Sequence, residues 1–126
     1  MTPVAVVAAV IEQDQAFLLT LRLDGTHLAG HWEFPGGKVH DHESHTEALR
    51  RELFEELDIV GEVGELVHRV THAYPAKTVE LFFYRCTVKG EPKPMMGQQM
   101  RWVPRAELGG LTFPDADKDL VRILIG

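Results

Sequence analysis

The stretch Gly37-Lys38-Val39-His40-Asp41-His42-Glu43-Ser44-His45-Thr46-Glu47-Ala48-Leu49-Arg50-Arg51-Glu52-Leu53-Phe54-Glu55-Glu56-Leu57-Asp58-Ile59 decides how this chain is read. Its second half has the pattern of a helix starting at Ser44 or His45 and ending at Leu57, with Ser44 as N-cap. Leu49, Leu53 and Leu57 recur every four residues and form an apolar stripe. Glu52, Glu55 and Glu56 stand at i, i+3 and i+4, so their carboxylates fall within an arc of roughly a hundred degrees on the adjoining face. Like charges at that spacing repel by a few tenths of a kcal/mol per exposed pair, and by more where water is excluded. A bound divalent cation reverses the sign of that term. The oxygen-only donors point to Mg²⁺ or Mn²⁺, since zinc sites are built mostly from Cys and His. Arg51, four residues after Glu47 and four before Glu55, is expected to bridge carboxylates and hold them in place. The plain alternative is a solvated acidic helix face.

Upstream of the helix, Trp32 to Phe34 reads as a short strand running into Pro35-Gly36-Gly37, where glycines let the backbone approach a ligand. An acidic helix face beside such a turn is what metal-assisted attack on a phosphoanhydride needs. Lys38 follows the turn and is placed either to meet phosphate oxygens or to sit in solvent. Phe34 has two readings as well, stacking on a base or packing in the core.

These residues resemble the Nudix box, G-x5-E-x7-R-E-U-x-E-E-x-G-U with U aliphatic. Gly37, Glu43, Arg51, Glu52, Leu53, Glu55, Glu56 and Ile59 fall in register, and Asp58 stands where the box has glycine. Leu28 to Lys38 and Phe113 to Asp117 are similar to the MutT-like branch, so the resemblance spans nearly the whole chain. It implies a Nudix fold, an α/β (α+β) mixed sheet sandwiched between helices. It also implies metal ligation by the Gly36 carbonyl and by Glu52, Glu55 and Glu56, with Glu43 supporting the loop or a water and Arg51 completing the catalytic set. Arg22 and His27 fall where MutT-like enzymes contact the nucleotide, alongside Phe34, Gly37 and Lys38. The implied reaction is Mg²⁺-dependent cleavage of a nucleoside triphosphate to monophosphate and pyrophosphate by a water that the cation acidifies.

Asp117 matches the position that faces the base. Ionised, it only accepts hydrogen bonds, which suits the amine of cytosine or adenine. Protonated, it also donates, which suits an oxidised guanine. The substrate therefore reads as 8-oxo-dGTP or a cytidine triphosphate. Pyrophosphate removal from RNA 5′ ends and nucleotide binding without catalysis are the alternatives. Counting back from Trp102 puts Met96 where many relatives carry a loop glutamate, and His40 stands where Glu is frequent. The run His40 to His45 also admits a zinc reading, although no Cys and no clear fourth ligand accompany it.

The chain has 126 residues, 44% of them hydrophobic, enough for one domain spanning 1–126. A net charge of −6 argues against broad binding to nucleic acid or to anionic membranes and leaves a small nucleotide as the partner. Cys86 is alone and lies in an apolar run, as a buried thiol does. No run reaches membrane-spanning length, and the expectation is a cytoplasmic monomer or homodimer. Val4 to Ile11 and Ala16 to Leu23 read as a hairpin of buried strands. Gly61 to Gly64 reads as a turn before a strand from Leu66 to Ala73, followed by strands at Val79 to Val88 and Gln99 to Val103. Pro104 to Leu108 reads as a helical turn and Pro114 to Ile125 as a closing helix.

Overall fold

The computed structural model describes residues 2–26 and 28–126. One four-stranded mixed sheet is organised around β1 (Val4–Val10), which runs antiparallel to β5 (Gly36–Lys38) and parallel to β7 (Thr78–Lys89). Strand β6 (Val60–Ala73) completes it, antiparallel to β7. A second, antiparallel sheet is built on β3 (Ala16–Leu21), which pairs with β2 (Glu12–Gln13), β4 (Trp32–Glu33) and β8 (Met100–Pro104). Helix α1 (His45–Leu57) and helix α2 (Lys118–Ile125) complete the domain.

The two helices cover opposite faces, as the period of two along a strand requires. Val7 and Ala9 of β1 and Leu18 of β3 point toward Ala48, Leu49, Leu53 and Leu57 of α1. Ala8 and Val10 of β1, Phe17 and Leu19 of β3, and Leu81 and Phe83 of β7 point the other way, toward Leu120, Val121 and Leu124 of α2. This is the expected sheet between helices. Cys86 is buried in the α1 layer, and burial pushes its thiol up to about 12.

The expected hairpin of the first two long strands is replaced by a step between sheets. Both neighbours of β1 are already taken, by β5 and β7. The chain therefore turns through Asp14 and Gln15, both at positive φ, and β3 pairs back onto β2 instead. A second correction concerns Gly61 and Gly64, which lie inside β6 rather than in a turn before it. Register shifts between Val63 and Leu66 and between Leu66 and His68 absorb the irregularity, and a Cβ on Gly61 would stand 2.6 Å from Leu53 Cδ1. The last expected helix divides into a 3-10 turn at Asp115–Asp117 and then α2.

Helix α1 is closed at both ends by its own sequence. Ser44 Oγ accepts from the Glu47 N–H at 3.0 Å and Glu47 Oε1 accepts from the Ser44 N–H at 2.9 Å, a complete capping box. Glu47 is thereby committed to the cap, and the expected bridge from Arg51 to Glu47 does not form. At the other end Asp58 adopts φ 55° and ψ 40°, donating its N–H to Phe54 O. This left-handed conformation is where the Nudix box places glycine, and an L-residue there costs about 1–2 kcal/mol, less for Asp. Asp58→Gly is expected to raise stability by about 0.5 kcal/mol and Asp58→Val to lower it by about 1–2 kcal/mol. Urea unfolding midpoints in the reverse order would contradict this account of the cap.

Candidate functional site

Strand β5 carries no side chain until Lys38, and the packing explains why. A Cβ on Gly36 would stand 2.0 Å from Val7 O, and one on Gly37 would stand 2.4 Å from Glu52 Cδ. The di-glycine therefore lets β5 close onto β1 and lets α1 bring its acidic face against the backbone. That face has two halves of opposite electrostatic character.

In the first half, Arg51 gathers the acids. Its Nε and Nη2 donate to Glu43 Oε2 and Oε1 at 2.7 and 2.9 Å, and its Nη1 donates to Glu52 Oε1 at 2.9 Å. Glu55 lies at 3.5 Å from Nη1, and Nη2 also donates to Lys38 O at 3.0 Å. The bidentate hydrogen bonds from Arg51, with the His40 backbone N–H, hold the Glu43 carboxyl down at about 2. Hydrogen bonding to Glu43 raises the Arg51 guanidinium further above its ordinary range. Arg51 thus ties Glu43 and the Lys38 carbonyl to Glu52.

The second half is left uncompensated. Glu56 is mostly buried, hydrogen-bonded to Glu52 and to the backbone of Gly36, and among the described residues it has no Lys or Arg ion pair. Burial first, then the charges of Glu52 and Glu33, push its carboxyl up to about 9. Glu55 is more exposed, so the structure joins Glu52 with Glu56 and sets Glu55 to one side. Among the described residues no three His, Cys, Asp or Glu side chains stand together as a ready-made metal cluster, and the His40 to His45 segment forms none.

A cavity of about 210 Å³ opens beside Gly36, Gly37 and Glu56 and runs to Arg22, Tyr74, Lys77 and Asp117. Arg22 donates from Nη1 to Glu33 Oε2 at 2.7 Å. Asp117 is almost fully buried, and burial, with the charge of Glu33, pushes its carboxyl up to about 7 against the opposing pull of Arg22. The hydroxyl of Tyr74 accepts from the Ala116 N–H at 3.3 Å, next to Asp117.

For Phe34 and Lys38, each read in two ways from the sequence, the structure favours one reading. Phe34 is buried in the core, stacked on Phe113 and edge-on to Phe83 at 5.8 Å each, so it gives the cavity floor rather than a face for stacking. Lys38 is exposed beyond the glycines and lines neither of the two cavities around Arg22, its carbonyl being held by Arg51. His27 lies outside the described residues. Met96 is exposed and lines a neighbouring cavity of about 150 Å³, bringing no carboxylate to it. The loop around Met96 is nonetheless tied to α1, since Gln98 Oε1 accepts from the Met96 N–H and Gln98 Nε2 donates to Glu56 O. Sequence reasoning missed Glu33, Tyr74 and Lys77. A charged residue between Trp32 and Phe34 in a short strand was the available signal for Glu33.

Residues 6–122 match the NUDIX domain family model, and the chain belongs to the Nudix family. It is 42% identical over 108 residues to the 8-oxo-dGTP diphosphatase of Haemophilus influenzae, covering 85% of this chain and 79% of that one. It is 52% identical over 67 residues to the CTP pyrophosphohydrolase of Escherichia coli, covering 53% of this chain and 50% of that one. In three dimensions it resembles the solution structure of the E. coli ORF135 protein with a TM-score of 0.86 and 35% identity, over 97% of this chain and 88% of that one. Nudix hydrolases use divalent metal ions, and no helix in the described residues is long and apolar enough to cross a membrane.

The Arg51 hub gives a pH prediction. Glu43 is held below its ordinary 4.5, so its contribution to stability is complete above that pH and is lost as pH falls toward about 2. Arg51→Met removes the cause of the shift. Its unfolding midpoint is expected to be lower than wild type at neutral pH and to fall less steeply between pH 4.5 and 2; parallel acid limbs would refute the assignment.

Proposed function

We propose that this chain hydrolyses a nucleoside triphosphate to the monophosphate and pyrophosphate, with Mg²⁺ or Mn²⁺, and that its substrate is 8-oxo-dGTP or a cytidine triphosphate. The observation that carries this reading is a single cleft with uncompensated carboxylates beside a di-glycine at one end and a buried Asp117 at the other. The phosphates belong beside Gly36 and Gly37, where the backbone is bare, and the base belongs against Asp117.

The donors fit a hard divalent cation: Glu52 and Glu56 are carboxylates pressed together at an energetic cost that a cation offsets, with Glu55 and the Gly36 carbonyl nearby in sequence. When bound, such an ion would offset phosphate charge and acidify water for attack on phosphorus. Arg51 fixes the Glu52 carboxylate from behind, and Glu43 fixes Arg51. Met96 supplies no proton acceptor, which leaves the acids of the helix face for that role.

Pyrophosphate release from a panel of oxidised and ordinary nucleoside triphosphates tests the proposal. With Mg²⁺ present, at least one is expected to turn over, chelation is expected to stop it, and Glu55→Gln and Glu56→Gln are expected to lose about 10²-fold or more while remaining folded. Release from no nucleotide, or normal rates in both variants, would remove it.

Asp117 makes base choice dependent on pH. Below about 7 its carboxyl is protonated and donates, which favours 8-oxoguanine; above it the carboxylate only accepts, which favours the amine of cytosine. The ratio of kcat/KM for CTP to that for 8-oxo-dGTP is expected to rise through pH 7, and to stay flat in Asp117→Asn. A ratio equally flat in the wild-type protein would exclude Asp117 as the base reader.

A further inference from the structure

Residues 90–99 join β7 to β8, and Gln98 is the only one of them that is buried. Met95 and Met96 are both more than half exposed, so the largest apolar side chains of the loop do not anchor it. Hydrogen bonds hold it instead. Gln98 Oε1 accepts from the Met96 N–H at 2.8 Å across the bend at Gly97, and Gln98 Nε2 donates to Glu56 O at 3.2 Å. The Met95 N–H donates to the same carbonyl at 3.0 Å, and the Lys93 N–H donates to Leu57 O at 2.9 Å. Gln98 also lines the cavity of about 150 Å³ beside Glu56, to which its amide brings no charge.

The place where the loop takes hold matters for the site. Glu56 and Leu57 lie in the last turn of α1, whose carbonyls have no partner within the helix, and helix ends open most readily. The left-handed cap at Asp58 satisfies Phe54 O and leaves the Glu56 and Leu57 carbonyls to the loop. Glu56 is the acid nearest that end, and its carboxyl reaches Glu52 and the Gly36 backbone only while its own turn is wound. Gln98 contributes to two of the links that keep it so. It bonds Glu56 O directly, and by fixing the Met96 N–H it sets the bend that presents the Met95 N–H to the same oxygen. A buried amide that lost these partners would itself be costly, so the loop and the helix end are held together or released together.

We propose that Gln98 is a positioning residue for the cation-binding end of the cleft. It locks the loop onto the Glu56 carbonyl, keeps the last turn of α1 wound, and so holds the Glu56 carboxyl beside Glu52 and Gly36. The inference rests on the reading of Glu52 and Glu56 as cation ligands given above.

The test compares the wild-type protein with Gln98→Leu, which keeps much of the side-chain bulk and removes both bonds. Leu124→Ala, a core truncation in α2 on the opposite face of the sheet from α1, controls for lost stability. Mn²⁺ binding to the free protein is read by electron paramagnetic resonance, and exchange of the Met95 and Met96 amide protons by NMR. Gln98→Leu is expected to weaken Mn²⁺ binding about 10-fold or more and to speed both exchanges about 10-fold. The Mg²⁺ concentration that half-saturates pyrophosphate release is expected to rise by a similar factor, with KM at saturating Mg²⁺ within about twofold of wild type. Leu124→Ala is expected to melt earlier and to bind Mn²⁺ as the wild type does. If melting curves show Gln98→Leu unfolded, Gln98→Asn, whose amide is one methylene shorter, takes its place and is expected to move both readings in the same direction. Unchanged Mn²⁺ affinity in a folded Gln98 variant, amides as protected as in wild type, or an equal loss of affinity in Leu124→Ala would overturn the positioning role while leaving the metal and nucleotide readings intact. A wild-type protein that binds no Mn²⁺ would instead overturn the reading of Glu52 and Glu56 as ligands.

Discussion

The site depends on two carboxylates being held against a strand that has no side chains. Glu52 occupies the space that a Cβ at residue 37 would need, and Glu56 is hydrogen-bonded to Glu52 and to the Gly36 backbone. Neither position is favourable for an isolated acid, because buried like charges are poorly screened. The fold meets that cost on one side only. Arg51 compensates Glu43 and Glu52 and reaches Glu55, whereas Glu56, one turn farther along the same helix, is left to the protonation state that burial imposes. The resulting gradient along α1 leaves an acid with no cationic partner among the described residues beside the open cleft.

That gradient needs a helix fixed in rotation and in register, and both ends of α1 contribute. The Ser44 and Glu47 capping box sets where the helix begins, and Leu49, Leu53 and Leu57 set which face is buried. Rotating α1 by one residue, about 100°, would carry Glu52 out of the space opposite Gly37. The buried stripe therefore positions the acids as well as stabilising the domain. The bonds from the Met95 and Lys93 N–H groups to Glu56 O and Leu57 O then tie the last turn to the loop that borders the second cavity.

What could be read from residues alone follows the range of the interactions involved. The helix, its cap, the buried leucines and the left-handed Asp58 are local properties, decided within a few positions, and they were legible. Helical spacing offers Arg51 two partners, Glu47 and Glu55, and the structure keeps Glu55 at 3.5 Å but not Glu47. The structure gives Glu43 instead, because the capping box competes for Glu47 and the loop folds back to present Glu43. The hairpin expected between the first strands failed for a nonlocal reason: β5 and β7, far along the chain, had taken both edges of β1. Glu33, Tyr74 and Asp117 come from three separated segments, and only the packing of β4, the β6 to β7 turn and the 3-10 turn before α2 brings them to one cleft. Phe34, beside the di-glycine turn, was open to a ligand contact and to core packing alike, and its ring contacts with Phe83 and Phe113 place it in the core at the cavity floor.

The charge balance of the cleft bears on how a polyphosphate enters it. Glu33, Glu56 and Asp117 line the same cavity, while Arg22 and Lys77 are the cations there, and Arg22 is engaged with Glu33. The whole chain carries a net charge of −6. A bare triphosphate would meet acids rather than a cradle of cations where its phosphates must lie, and its charge would oppose loss of the Glu56 proton. On the proposed function, a divalent cation would displace the Glu56 proton and offset the phosphate charge, and so would serve binding as well as the chemical step. The base end has the opposite requirement. Asp117 is buried with a carboxyl near the midpoint of its titration at neutral pH, so it can meet a polar base edge without burying a full charge. On the proposed function, one cleft thus presents an acid-lined end whose carboxyl would give up its proton to a cation and a buried end that reads hydrogen bonds, and the two ends of a nucleotide, phosphates and base, match that division.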